Sequence, residues 1–178
     1  MSSAYMARYG TSREHLMQVA VKNHQNGALN PKAQFNLSLR DIIARRVARA
    51  EREGQPEPDW GDEFDFLRDT GANPLVAWPL HLFDCAPVTD GASCILLAAE
   101  DAARRYTADV VTVIATAQAS AGPLSTWGGD ITGIPSVRLA GRDAYEMAGV
   151  GPEDIDFAEV HDCFTTAEIM AIEDLGFF

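Results

Sequence analysis

Apolar positions change period several times along this chain, and each change predicts an element. Leu16, Val19, Ala20 and His24 recur at helical spacing behind Thr11 and Ser12, with Thr11 and Glu14 placed as a capping box. Asn30-Pro31 closes that helix. A second helix is expected from Ser38 to about Glu51, with Leu39, Ile42, Ile43 and Val47 on one side. Its other side carries Arg40, Arg45, Arg46, Arg49 and Arg52, a basic face read as solvated surface. Between Gly54 and Asn73 the chain turns polar and acidic, with Pro56, Pro58, Gly61 and Gly71, which reads as a linker or surface insertion.

From Leu80 onward strands and helices alternate. Ser93 to Ala98 reads as a buried strand, Ala99 to Arg105 as a helix, and Asp109 to Gln118 as a strand rich in Val, Ile and Thr. Gly122 to Gly133 is a glycine-rich loop, and Pro135 to Met147 a helix opened by proline and stopped near Gly149. This βαβ-type order implies a layered α/β domain. Periodicity alone does not give strand order.

The stretch from Asp154 to Phe164 carries the most chemistry. Ile155 and Phe157 alternate as in a strand, read over Asp156 to Val160, and His161, Asp162 and Cys163 follow where that strand should end. Phe164, Ala167, Met170, Ala171 and Leu175 then repeat at helical spacing, so a helix begins at or just after Cys163. Reactive groups at the carboxyl end of a strand, facing a helix N-terminus, are where open α/β sheets place chemistry. The helix dipole there favours a thiolate, whereas the neighbouring Glu159 and Asp162 oppose it. A lone cysteine in apolar surroundings is also commonly a small core residue. The residues by themselves leave both readings open.

Charge and cysteine usage narrow the classes. The formal net charge of −12 argues against nucleic acid as a general partner. It also requires any anionic ligand to find a local basic patch. Arg8, Arg13, Lys22 and Lys32 lie near the first long helix, although solvated surface is the ordinary role of each. No apolar run is long enough to span a bilayer, and the N-terminus lacks a secretory pattern. The three cysteines, Cys85, Cys94 and Cys163, show no metal-like spacing and suit a reducing cytoplasm.

His161-Asp162-Cys163-Phe164 resembles the HDCF motif of thiolases of the sterol-carrier-protein type. Ala148 to Asp156 is similar to the helix-to-strand approach to that motif, and Asp84 to Ala92 to the family's Asn-Asp-Gly-Ala strand entry. Tyr9 to Glu14 with Val19 to His24 resembles its loop-domain helix. The resemblance implies a thiolase-like layered α/β fold with a mixed five-stranded sheet, present in part. A loop-domain segment would occupy residues 1–79 with an acidic insertion near 54–73, and part of the C-terminal core domain residues 80–178.

It also implies an activity, an acyl-CoA C-acyltransferase that makes or breaks a carbon–carbon bond between coenzyme A thioesters. Cys163 would act as acid/base and His161 would help bind the thioester oxygen, while Asp162 orients the loop. Cys85, Ala86 and Pro87 would line the coenzyme A tail, and Trp127-Gly128-Gly129 could border the acyl pocket. Cys94, inside an apolar strand, would be structural. Coenzyme A thioester enters as substrate, with no metal or separate cofactor implied. Family members run to roughly twice this length, with a nucleophilic cysteine upstream and a Gly-His-Pro motif downstream of the residues present here. The chain therefore reads as an internal fragment, inactive alone, aggregation-prone, and a homo-oligomer only when whole. The competing implications are a thiolase-fold aldolase cleaving hydroxyacyl-CoA side chains, often with an OB-fold partner, and a noncatalytic acyl-CoA or lipid-binding module. The motif cysteine favours a thiolase over the aldolase.

Overall fold

A computed structural model describes all residues, Met1 to Phe178. Helix α1 spans Ser2–Tyr9, α2 Arg13–Ala28, α3 Leu39–Glu53, α4 Glu63–Arg68, α5 Glu100–Ala103, α6 Pro135–Ala148 and α7 Thr165–Asp174. The strands are β1, Leu75–Ala77, and β2, Leu80–His81. These pair antiparallel across a turn containing a cis Trp78–Pro79 bond.

Local sequence explains most helix ends. Ser38 caps α3 by accepting from the Asp41 amide at 3.1 Å, while the Ser38 amide donates to Asp41 Oδ2 at 2.9 Å. The cap of α2 is Ser12 rather than Thr11, and the residue that reaches back is His15, whose Nδ1 accepts from the Ser12 amide at 3.2 Å. Helix α6 opens on Pro135 and ends at Gly149, whose φ of 71° is a left-handed conformation suited to glycine.

The core lies among α2, α3 and α4. Met17, Ala20, Leu39, Phe66, Leu67 and Ala72 form one buried cluster, with Ile42, Ile43, Trp60 and Phe83 packed against it. Phe66 takes the edges or faces of Trp60 and Phe83 at 5.1 and 5.2 Å between ring centres, both nearly perpendicular. The stretch expected as a polar linker is therefore part of the core. Asn73, fully buried, explains how: its Nδ2 donates to the Leu67 carbonyl at 2.8 Å, and its Oδ1 accepts from the Phe83 amide at 3.0 Å. Of the arginines expected on a solvated face, Arg40 stays exposed in an ion pair and Arg46 packs on the core. Arg40 pairs with Glu63 at 2.5 Å, and Arg46 stacks over Phe66 at 5.0 Å.

A second seam joins α2 to α7 and α7 to α6. Met170 and Ala171 are buried there. Gly141 lets α6 approach closely, since a Cβ at that position would lie 3.0 Å from Leu175 Cδ2. Tyr145 Oη donates to the Leu175 carbonyl at 2.9 Å, and Arg138 pairs with Asp174 at 2.5 Å.

The expected strands at 93–98, 109–118 and 156–160 do not form a sheet. They run without strand pairing, and Ile95, Leu96, Val111 and Phe157 are each at least 80 % exposed. The accessible surface, 12244 Å², exceeds the roughly 8,500 Å² expected of a compact protein of this mass. Alternation marks side chains that can be buried. A strand forms only when another backbone comes alongside to take its N–H and C=O groups, and none does here. The helix expected from Ala99 to Arg105 shrinks to the single turn of α5 for the same lack of a surface to pack on. The α/β class stands on the helices with the β1–β2 hairpin; the five-stranded sheet is absent.

Candidate active site

Two distant segments meet at the start of α7. Cys85 and Phe164 form an isolated antiparallel bridge, and the Ala86 amide donates to the Cys163 carbonyl at 3.1 Å. The chain reaches this point through a one-turn 3-10 helix, Leu82–Asp84, that continues β2. The Asp84 carboxylate, with no exposed side-chain surface, anchors the junction. It accepts from the His81 amide at 2.7 Å and from Thr165 Oγ1 at 3.1 Å, and meets Arg13 at 2.5 Å. The Arg13 contact is one of charge rather than an aligned hydrogen bond.

A groove of about 790 Å³ opens beside this junction. Cys85, Ala86, Pro87 and Asp162 line it, together with α2 and the segment that follows it. The sequence-derived residues thus divide. Cys85, Ala86 and Pro87 face the groove, whereas Cys163 is half-buried at its edge, and His161 is exposed beside it. Trp127 lies elsewhere, its Nε1 turned back on the Gly122 carbonyl at 3.2 Å. Cys94 is exposed, not enclosed as a core strand residue would be.

Electrostatics differ between the cysteines. Burial, reinforced by the adjacent Asp84 charge, pushes the Cys85 thiol up from its ordinary range, which keeps it protonated. Its Sγ lies 3.3 Å from the His81 carbonyl, as suits a thiol donor. His24, on the groove wall, packs on Phe83 at 5.3 Å, and burial holds its pKa below the usual histidine value against the opposing contact with the Leu37 carbonyl.

Three residues in this region fall outside the site residues read from the sequence: Asn23, which lies within the loop-domain resemblance, Glu168 and Thr165. Asn23 Nδ2 donates to Asp162 Oδ2 and, at 2.9 Å, to Glu168 Oε2. Glu168, 3 % exposed, also meets Lys22 Nζ at 2.7 Å. A signal was present in the helical period. Asn23 follows Leu16, Val19 and Ala20 on the apolar stripe of α2, and Glu168 stands between Phe164 and Ala171 on that of α7. A polar group on such a stripe needs a buried partner.

Known proteins converge on one family. Residues 115–178 match the thiolase C-terminal domain-like family. An acetyl-CoA acetyltransferase of Methanothermobacter thermautotrophicus is 39 % identical over 99 % of this chain, which covers 39 % of that protein. Human sterol carrier protein 2 is 30 % identical over 97 % of this chain and 28 % of its own length. Among solved structures, the Ltp2-ChsH2(DUF35) aldolase superposes with a TM-score of 0.70 at 27 % identity, covering 99 % of this chain and 41 % of that one. The chain thus spans about two fifths or less of the relatives it matches. By these matches the chain is similar to the thiolases, with residues 115–178 matching the family's C-terminal domain.

Proposed function

We propose that this chain supplies the proton-transferring side of an acyl-CoA C-acyltransferase site, where a carbon–carbon bond between coenzyme A thioesters is made or broken. The observation that supports it most is the pairing of Cys85–Ala86 with Cys163–Phe164 at the groove edge. In cleavage, the bond electrons pass to the α-carbon of the departing acyl-CoA, and the Cys163 thiol returns a proton there; in condensation the thiolate removes it. His161 donates to the thioester oxygen as negative charge develops. The acyl-accepting nucleophile is none of Cys85, Cys94 and Cys163.

The groove suits the uncharged amide arm of coenzyme A better than its phosphates. Asp84, Glu159, Asp162 and Glu168 line it against Lys22 alone among lysines and arginines. The phosphates would therefore lie outside it. The site works on coenzyme A thioesters as substrates, needs no separate cofactor, and belongs to a cytoplasmic enzyme that assembles as a homo-oligomer. No helix is long and apolar enough to cross a membrane.

Millimolar acetoacetyl-CoA should protect both Cys85 and Cys163 from iodoacetamide, read residue by residue by peptide mass spectrometry. Absence of protection at saturating ligand would overturn the proposal. The aldolase likeness supports a second reading, cleavage of a 3-hydroxyacyl-CoA. Stronger protection by a 3-hydroxyacyl-CoA than by the 3-oxo compound would select it. Protection without any Cys163-dependent exchange of α-protons into D2O would indicate a binding module.

A further inference from the structure

Two carboxylates and one amide meet beneath the loop that carries Cys163. Asn23 has two N–H bonds on Nδ2, and each has its own acceptor: Asp162 Oδ2 and Glu168 Oε2. Lys22 neutralises Glu168 through the other oxygen. Asp162 has no basic side chain within ion-pair distance. The amide is thus what holds this carboxylate in the groove wall, while the half-buried Cys163 beside it sits at the groove edge.

We propose that Asn23 is a positioning residue for Cys163: by tethering Asp162 to α2 it keeps a carboxylate away from the thiol and leaves the thiolate accessible. This inference rests on the reading of Cys163 as the proton-transferring group. The other charged or titratable groups around Cys163 are His161 and Glu159 on its own segment, Lys22 on α2 and Glu168 on α7. Asp84 and Cys85 come from the turn after β2, with Arg13 neutralising Asp84. Of the carboxylates in this set, Asp162 is adjacent to Cys163 in the chain, and one hydrogen bond from Asn23 restrains it. Without that bond, rotation about the Asp162 side chain brings its charge towards the sulfur, and repulsion between the two negative groups favours the protonated thiol.

The test is the pH dependence of Cys163 alkylation by iodoacetamide in the purified chain without acyl-CoA, followed by site-resolved mass spectrometry. Asn23→Ala should raise the midpoint by about one pH unit, slowing alkylation roughly tenfold below it. Asp162→Asn alone should leave the midpoint within about 0.3 unit, because Asn23 already holds the charge in the groove wall. Asn23→Ala combined with Asp162→Asn should restore the wild-type profile. An unchanged midpoint in folded Asn23→Ala overturns the proposal. If that variant does not fold, a large downward shift in Asp162→Asn does so on its own. These readouts need no substrate, so their failure is separate from a failure of acyl-CoA protection.

Discussion

Thr165 Oγ1 donates to Asp84 Oδ1 at 3.1 Å, joining the first turn of α7 to a residue 81 positions earlier in the chain. Both side chains are buried, and the bond lies immediately behind the Cys85–Phe164 bridge. The place where Cys163 leaves its loop is thereby set by a carboxylate on another segment.

Asp84→Ala should cost about 3–5 kcal/mol, because it strands the buried end of Arg13 and removes the acceptor of Thr165. Urea denaturation followed by circular dichroism would measure it. A cost below about 1 kcal/mol would mean that water replaces the carboxylate without loss.

Cysteine labelling should proceed in a set order. Cys94 is exposed, whereas Cys85 is partly enclosed with its thiol held in the protonated form. At neutral pH iodoacetamide should therefore modify Cys94 well before Cys85. Equal rates would show that the Cys85 junction opens freely.

Stability should depend on pH through His24. Burial lowers its pKa in the folded chain below the ordinary 6.5. The unfolded chain therefore binds the proton more readily. The contribution is fully present above about pH 6.5 and is lost as pH falls towards the lowered value. His24→Phe should flatten that part of the pH dependence of the urea midpoint while keeping a ring against Phe83. An undiminished slope would place the titration elsewhere.

Phe66→Ala should cost about 3–5 kcal/mol, the usual penalty for emptying an aromatic site in a core. The residue is fully buried and contacts two aromatic rings. A near-neutral effect in the same denaturation experiment would return residues 54–73 to the status of a surface insertion.

Helix periods were legible from the residues alone, whereas the cap of α2 fell on Ser12 with His15 rather than on Thr11 with Glu14. Leu39, Ile42, Ile43 and Val47 behind Ser38 place α3 to within two residues, and Pro135 with Gly149 brackets α6. Hydrogen bonds within a helix are local, so local signals suffice. The 54–73 stretch misled because acidic residues, prolines and glycines dominate its composition while Trp60, Phe64, Phe66 and Leu67 supply its packing. Ser93–Ala98 and Asp109–Gln118 misled in the opposite sense, since apolar alternation was read as a sheet.

The HDCF motif and the Cys85–Pro87 strip could be named from the sequence by resemblance, and the helix that follows Cys163 from its period. That the two strips touch, that Asp84 and Thr165 join them, and that Asn23 gathers Asp162 and Glu168 were decided by tertiary structure alone. Those contacts cross between 60 and 150 residues of chain, and no local pattern encodes the pairing of groups so far apart. Burial decides it: a polar side chain on an apolar helix face must find whichever partner the packing of α2 against α7 brings within reach.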